Sequence, residues 1–196
     1  MNIARFIAPI CLLVAGCDRD AKRAQDAPPL QGAAIGGPFT LTDQNGLQVT
    51  DRSFAGRYRI MYFGYTSCPD VCPTDAQSIG GGLNKLEASE PAMAVRIVPV
   101  FVTLDPKRDT PAVLGQFVRA FHPRMVGLTG TDAQLAAAAK GYAIWFERLK
   151  PNEEGNYLVN HSRQTYLMDP NGKPLALLPS DKGAEAVAEE LRRWVT

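Results

Sequence analysis

Two of the four cysteines in this 196-residue chain stand in "GYTSCPDVCPTD", residues 64–75, with three residues between Cys68 and Cys72. Such a pair can exchange electrons as a dithiol and disulfide, brace the chain, or hold a metal. The thioredoxin-type motif has one residue fewer between its thiols. On a helix, residues four apart share a face about 6 Å apart along the axis, and a disulfide needs its Cα atoms about 4.4–6.8 Å apart. A helical turn from Pro69 would therefore let the pair close, or open slightly around an ion. Pro73 is expected to start the following helix, whose N-terminus favours thiolate. Spacing alone leaves redox and metal chemistry tied.

A third ligand would separate them, and the chain has only two histidines. His122, in "FHP" at an expected helix end, reads as a C-cap or surface residue. His161, in "YLVNHSRQTYLMDP", falls at the entry to an expected strand beside the central sheet; it is the candidate ligand, with a structural role as the alternative. Two thiolates and one imidazole are too few for a closed zinc site, and they are soft enough to suit Cu(I).

The N-terminus bears on which thiols remain. An apolar run from Phe6 to Ala15 follows Arg5. It is shorter than the roughly 20 residues that span a bilayer and fits a secretory signal. It ends in "LVAGC", which resembles a bacterial lipobox and would make Cys17 the lipidated first residue of the mature chain. Asp18 behind it points to retention at the inner membrane. The alternative is an ordinary signal with Cys17 incidental. Cys11 would leave with the signal, so Cys68 and Cys72 would be the only thiols in an exported compartment where disulfides persist. The expected organisation is a lipoprotein signal over 1–17, a flexible tether over 18–37 and one domain over 38–196. A net charge of +1 argues against phosphate-driven nucleic-acid binding.

The elements that must position the cysteines follow from patterning. "FTLTDQNGLQVT" reads as a hairpin around Asn45-Gly46, with a type I′ turn. "YRIMYFGYT" and "VRIVPVFVTLD" read as buried strands. A helix is expected from Pro73 toward Glu87; Gly80–Gly82 in its middle suggest close helix packing or a kink, because no P-loop pattern surrounds them. Thr110-Pro111 opens a helix to Phe121. A short strand near 125–128, a helix over 132–142 and a strand in "AIWFERL" follow. One strand over 157–169, a turn at Pro170-Asn171-Gly172, the strand "KPLALLP" and a last helix over 182–194 complete the chain. This order predicts an α/β, thioredoxin-like fold with an N-terminal β-hairpin extension and an inserted helix-strand segment. Cys68 and Cys72 fall in its first βα loop.

"GYTSCPDVCP", "VFVTLDPKRDTP" and "NHSRQTYLMDPNGKP" together resemble the three signature blocks of the Sco/SenC family of copper chaperones, over roughly residues 36–196. The resemblance implies a thioredoxin-like domain binding copper as Cu(I), with Cu(II) as a further state, through Cys68, Cys72 and His161. It implies help in maturing the CuA centre of cytochrome c oxidase, with subunit II as partner and other periplasmic copper chaperones or thiol reductants as further ones. Asp105 matches an acidic position of the second block, either orienting His161, walling a docking face or forming a turn before Pro106. Asp70 is expected to cap the helix or add negative potential, and Arg108 and Asp109 to form a local pair. The expected location is the bacterial cell envelope, lipid-anchored on the periplasmic face of the inner membrane. The leading reading is a metal-binding assembly factor without turnover. Its rival is a thiol-disulfide reductase using Cys68 and Cys72 as a redox-active disulfide; that reading leaves His161 without a task.

Overall fold

A computed structural model of the chain describes residues 27–196. The expected signal, Cys11, Cys17 and the first part of the tether lie outside the described residues. Residues 27–37, counted above as tether, lie against the domain: Leu30 N–H donates to Leu175 and Gly36 N–H to Gly141, while Leu30 and Ile35 pack on the core. No described helix is long and apolar enough to cross a membrane.

The centre is built from two seven-residue strands, β3 (Tyr58–Gly64) and β4 (Ile97–Thr103), every residue of which is buried. They run parallel in register from Tyr58 beside Ile97 to Gly64 beside Thr103. Burial on both faces explains their mostly apolar and aromatic composition, broken by Arg59 in β3 and Thr103 in β4. Around them the chain adds β1 (Thr40–Asp43), β2 (Gln48–Thr50), β5 (Val126–Thr129), β8 (Thr165–Met168) and β9 (Pro174–Leu177). The sheet order is β2-β1-β5-β4-β3-β8-β9, with β5 parallel to β4, and β8 and β9 antiparallel. The N-terminal hairpin thus extends the sheet at its β5 edge. Its turn differs from expectation: only Gly46 takes positive φ, and the Asp43 carboxylate accepts the amides of Asn45 and Leu47. The aspartate supplies a turn scaffold that a two-residue I′ loop would not need.

The first long helix, α1 (Val71–Ser89), begins two residues before Pro73. Pro73 lies within the first four positions, where an amide N–H has no intrahelical partner to lose. Cys72 is therefore inside the helix and Cys68 ahead of it, rather than both on one turn. The glycines leave α1 continuous and serve close packing. A Cβ at Gly80 would collide with the Phe121 carbonyl, and one at Gly82 would meet Val187 Cγ1 at 2.7 Å. After α2 (Pro91–Ala94), α3 (Pro111–Phe121) starts at Thr110, whose hydroxyl caps Val113 N–H, and ends at His122 as expected. His122 is not on the surface: it is 1% exposed, its Nδ1 accepts from Arg124 N–H, and its Nε2 lies 3.4 Å from Glu87.

The inserted segment holds α4 (Asp132–Gly141), β6 (Phe146–Arg148) and β7 (Val159–His161). The strand expected over 157–169 is broken: β7 pairs with β6 in a separate two-stranded sheet, and β8 alone joins the main sheet. Helix α5 (Ala184–Trp194) packs on α1 across the glycines.

Candidate metal centre

The site forms where the parallel strands end. Beyond β3, Tyr65, Thr66 and Ser67 lead to Cys68, and the Cys68 amide bonds back to Tyr65 O. The loop is held from β4's side: Asp109 accepts the Thr66 amide at 2.9 Å, the Thr66 hydroxyl at 2.6 Å and the Thr103 hydroxyl at 2.6 Å. Burial raises the Asp109 carboxyl above its usual range, while its three donors favour the ionised form. Asp109 thus pairs with hydroxyls, not with Arg108 as expected.

Cys72 is fully buried and Cys68 half-buried; both are free thiols. The Cys72 amide, exposed by the helix start, points at Cys68 Sγ across 3.5 Å. Cys72 Sγ sits above the end of β3, which only glycine permits: a Cβ at Gly64 would lie 2.9 Å from it. The expectation of a lowered thiol fails at Cys72. Burial pushes this thiol well above its usual range, and interaction with Cys68 pushes it further, against the lowering effect of the Tyr65 backbone.

His161, at the end of β7, brings Nε2 to 3.4 Å from Cys72 Sγ. Its Nδ1 is 2.8 Å from the Ser162 carbonyl, which can only accept. The proton therefore sits on Nδ1 and the lone pair of Nε2 faces the sulfurs, the tautomer a ligand needs. Burial lowers the His161 pKa, so the ring is neutral at neutral pH. The donor atoms of Cys68, Cys72 and His161 all lie within 4.8 Å of one another. Bonds from a metal to thiolate and imidazole run roughly 2.0–2.3 Å, so one ion can reach all three after small side-chain movement. Tyr62 and Tyr65 stand edge-on to the imidazole, with centroids 6.4 and 6.1 Å away.

The acidic residues are distributed otherwise than expected. Asp105 is fully buried but does not touch His161, which is oriented by the Ser162 carbonyl instead. Asp105 accepts the Tyr157 hydroxyl at 2.7 Å and pairs with Arg108, whose guanidinium also donates to Tyr157 O at 2.9 Å. It so ties the loop after β4 to the segment entering β7. Asp70 occupies the N-cap of α1, yet its exposed side chain makes no capping bond.

Three residues of the site were missed in the sequence. Asp75, three positions beyond Cys72, is fully buried and takes a two-pronged bond from Arg163, Nε to Oδ2 at 2.7 Å and Nη2 to Oδ1 at 2.8 Å. Arg163 lies two residues past His161, so the pair clamps the histidine segment onto the cysteine helix. The Tyr62 hydroxyl is buried beside Cys72 and Asp75 without a well-formed hydrogen bond, and burial drives its pKa up steeply. A carboxylate one turn past a candidate ligand, facing the core, was the signal available for Asp75.

The family profile described as SCO1/SenC matches residues 27–196. The chain belongs to this family. Among curated relatives, the mitochondrial SCO2 homolog of Mus musculus is 37% identical over 175 residues, covering 89% of this chain and 68% of that protein. SCO2 of Saccharomyces cerevisiae is 36% identical over 185 residues, and the chain spans 58% of its length. Among solved structures, ScoI of Bradyrhizobium japonicum with copper bound is 37% identical, with a TM-score of 0.74 over 82% of this chain and 99% of that one. A thioredoxin domain from Bacteroides vulgatus, 15% identical with a TM-score of 0.57 over 83% of this chain, shares the fold alone. The family's architecture is thus the thioredoxin-like one expected, carrying a hairpin and an inserted segment.

Proposed function

We propose that this chain is a copper carrier for cytochrome c oxidase assembly, holding Cu(I) on Cys68 Sγ, Cys72 Sγ and His161 Nε2. One observation carries the reading: residues 89 apart in sequence bring two sulfurs and a correctly protonated imidazole within 4.8 Å. The copper-bound relatives support it. The donor set fits the ion, because two soft thiolates and one neutral imidazole suit Cu(I) and leave it low-coordinate, open to ligand exchange with a receiving site. Cu(II) is a further state of the same site. The receiving site in this reading is the CuA domain of oxidase subunit II. The chain's place is the periplasmic face of a bacterial inner membrane, tethered by lipid on Cys17.

The test is an anaerobic Cu(I) titration against a competing chelator. Cys68→Ser and Cys72→Ser should each weaken binding by about 100-fold or more, and His161→Ala by at least tenfold. His122→Gln, remote from the site, should bind as the parent does. Parent-like binding by His161→Ala would refute the three-ligand site. The reductase reading predicts the opposite division: copper-free turnover of a disulfide substrate, kept in His161→Ala and lost in Cys68→Ser.

A further inference from the structure

Arg59, second residue of β3, is 3% exposed. Its guanidinium donates one hydrogen bond, from Nη1 to the Asp51 carbonyl at 3.2 Å, and its buried Nε has no partner. Among the described residues no carboxylate forms an ion pair with it. Arginine cannot shed its proton in a protein, so a buried guanidinium is costly unless an anion accompanies it. The buried carboxylate of Asp75 is matched by two bonds from Arg163; the buried guanidinium of Arg59 has no such partner.

Arg59 lines an open cavity of about 620 Å³ between residues 33–38 and the 170–173 turn. Three cations line it, Arg59 at the buried end and the exposed Arg52 and Lys173 nearer solvent, against the single carboxylate Asp51. Tyr142 adds a buried phenol whose pKa burial pushes up to about 12, leaving it a neutral hydrogen-bond donor. The cavity lies toward the opposite end of β3 from the cysteines; Arg59 and Gly64 are roughly 17 Å apart along the strand.

We propose that this cavity binds a phosphate-class oxyanion, whose fork-accepting oxygens match a guanidinium and whose charge offsets the surplus of cations. Two sources share that chemistry, soluble phosphate and a phospholipid headgroup. The second is within reach if Cys17 is lipidated, because ten residues from Cys17 to Ala27 extend at most about 35 Å.

The test uses the full chain in neutral detergent, reduced and copper-free, unfolded by heat in sodium phosphate or in sodium chloride of equal ionic strength. A ligand that binds only the folded state raises Tm, by about 3–5 °C for each tenfold rise above half-saturation in a domain of this size. The parent should show that rise in phosphate and not in chloride. Arg59→Met should abolish it, and Lys173→Gln should shift it to about two- to fivefold higher phosphate. Lys173 and Arg52 are exposed, so their variants remain informative should Arg59→Met fail to fold. A parallel arm replaces phosphate with mixed micelles of the same detergent and phosphatidic acid or phosphatidylcholine. An Arg59-dependent rise in phosphatidic acid alone assigns the headgroup, and one in inorganic phosphate assigns the soluble ion. No rise with either probe, or an equal rise in Arg59→Met, overturns the proposal. None of these readouts depends on copper.

Discussion

At the scale of single residues, the burial of Cys72 sets the terms on which the site takes metal. Its thiol holds a proton more firmly than an exposed cysteine does, and a metal must displace that proton. Cu(I) affinity should therefore climb with pH, about tenfold per unit for each proton released, and keep climbing through pH 8.5, where an ordinary thiol begins to level off. Burial lowers the His161 pKa, so in the upper part of this range the ring has no proton to release and the slope belongs to the thiols. Chelator competition at pH 6.5, 7.5 and 8.5 checks this; a flat profile would mean Cys72 is not a ligand. The Asp75–Arg163 clamp gives a second expectation. Arg163→Met leaves a carboxylate buried without its partner. It should cost about 2 kcal/mol or more, below the 3–5 kcal/mol of a fully enclosed pair because Arg163 is partly solvated. Adding Asp75→Leu should restore most of that loss. Denaturant unfolding of the single and double variants measures both. Asp75 offered one sequence signal, its place one turn past Cys72, but nothing local announces that Arg163, 88 residues on, will pair with it.

At the scale of elements, patterning worked where local rules govern and failed where a distant group intervened. Helix α3 begins and ends where Thr110-Pro111 and His122 indicated, because capping is a short-range interaction. The strand over 157–169 looked continuous by composition. It breaks because the Ser162 amide and hydroxyl bond to Trp145, pulling the chain toward β6 before Thr165 joins β3. The glycine triplet reads as weakness in an isolated helix and as fit in a packed one. Gly80→Ala would gain about 1 kcal/mol of helix propensity. Here it should lose about 1–3 kcal/mol net, because the Phe121 carbonyl cannot yield without moving the end of α3. Urea unfolding of Gly80→Ala decides between these signs.

At the scale of the whole molecule, a rigid parallel core carries its chemistry at one end, and its buried ionisable groups govern its response to acid. His122 is enclosed between the second half of α1 and the end of α3, and burial lowers its pKa, more than the nearby Glu87 raises it. The unfolded chain therefore binds this proton first, at about pH 6.5. The associated stability is complete above that value and is lost as pH falls through the lower folded pKa. Copper-free protein should lose stability between pH 6.5 and 5 with a slope of up to about 1.4 kcal/mol per unit from this group, in the same direction as His161. His122→Gln should flatten the curve, as read by denaturant midpoints across that range. The division of the candidate ligands between two sheets has a further consequence. The cysteines belong to the loop and helix growing out of the seven-stranded sheet, whereas His161 belongs to a two-stranded ribbon that enters β8 through three residues and is reached from β5 by way of α4. The Asp75–Arg163 pair fastens that ribbon to α1, so breaking it would free the imidazole while the main sheet kept every rung. In the copper-carrier reading the sulfurs keep the grip and the Asp75–Arg163 pair is the catch on the latch.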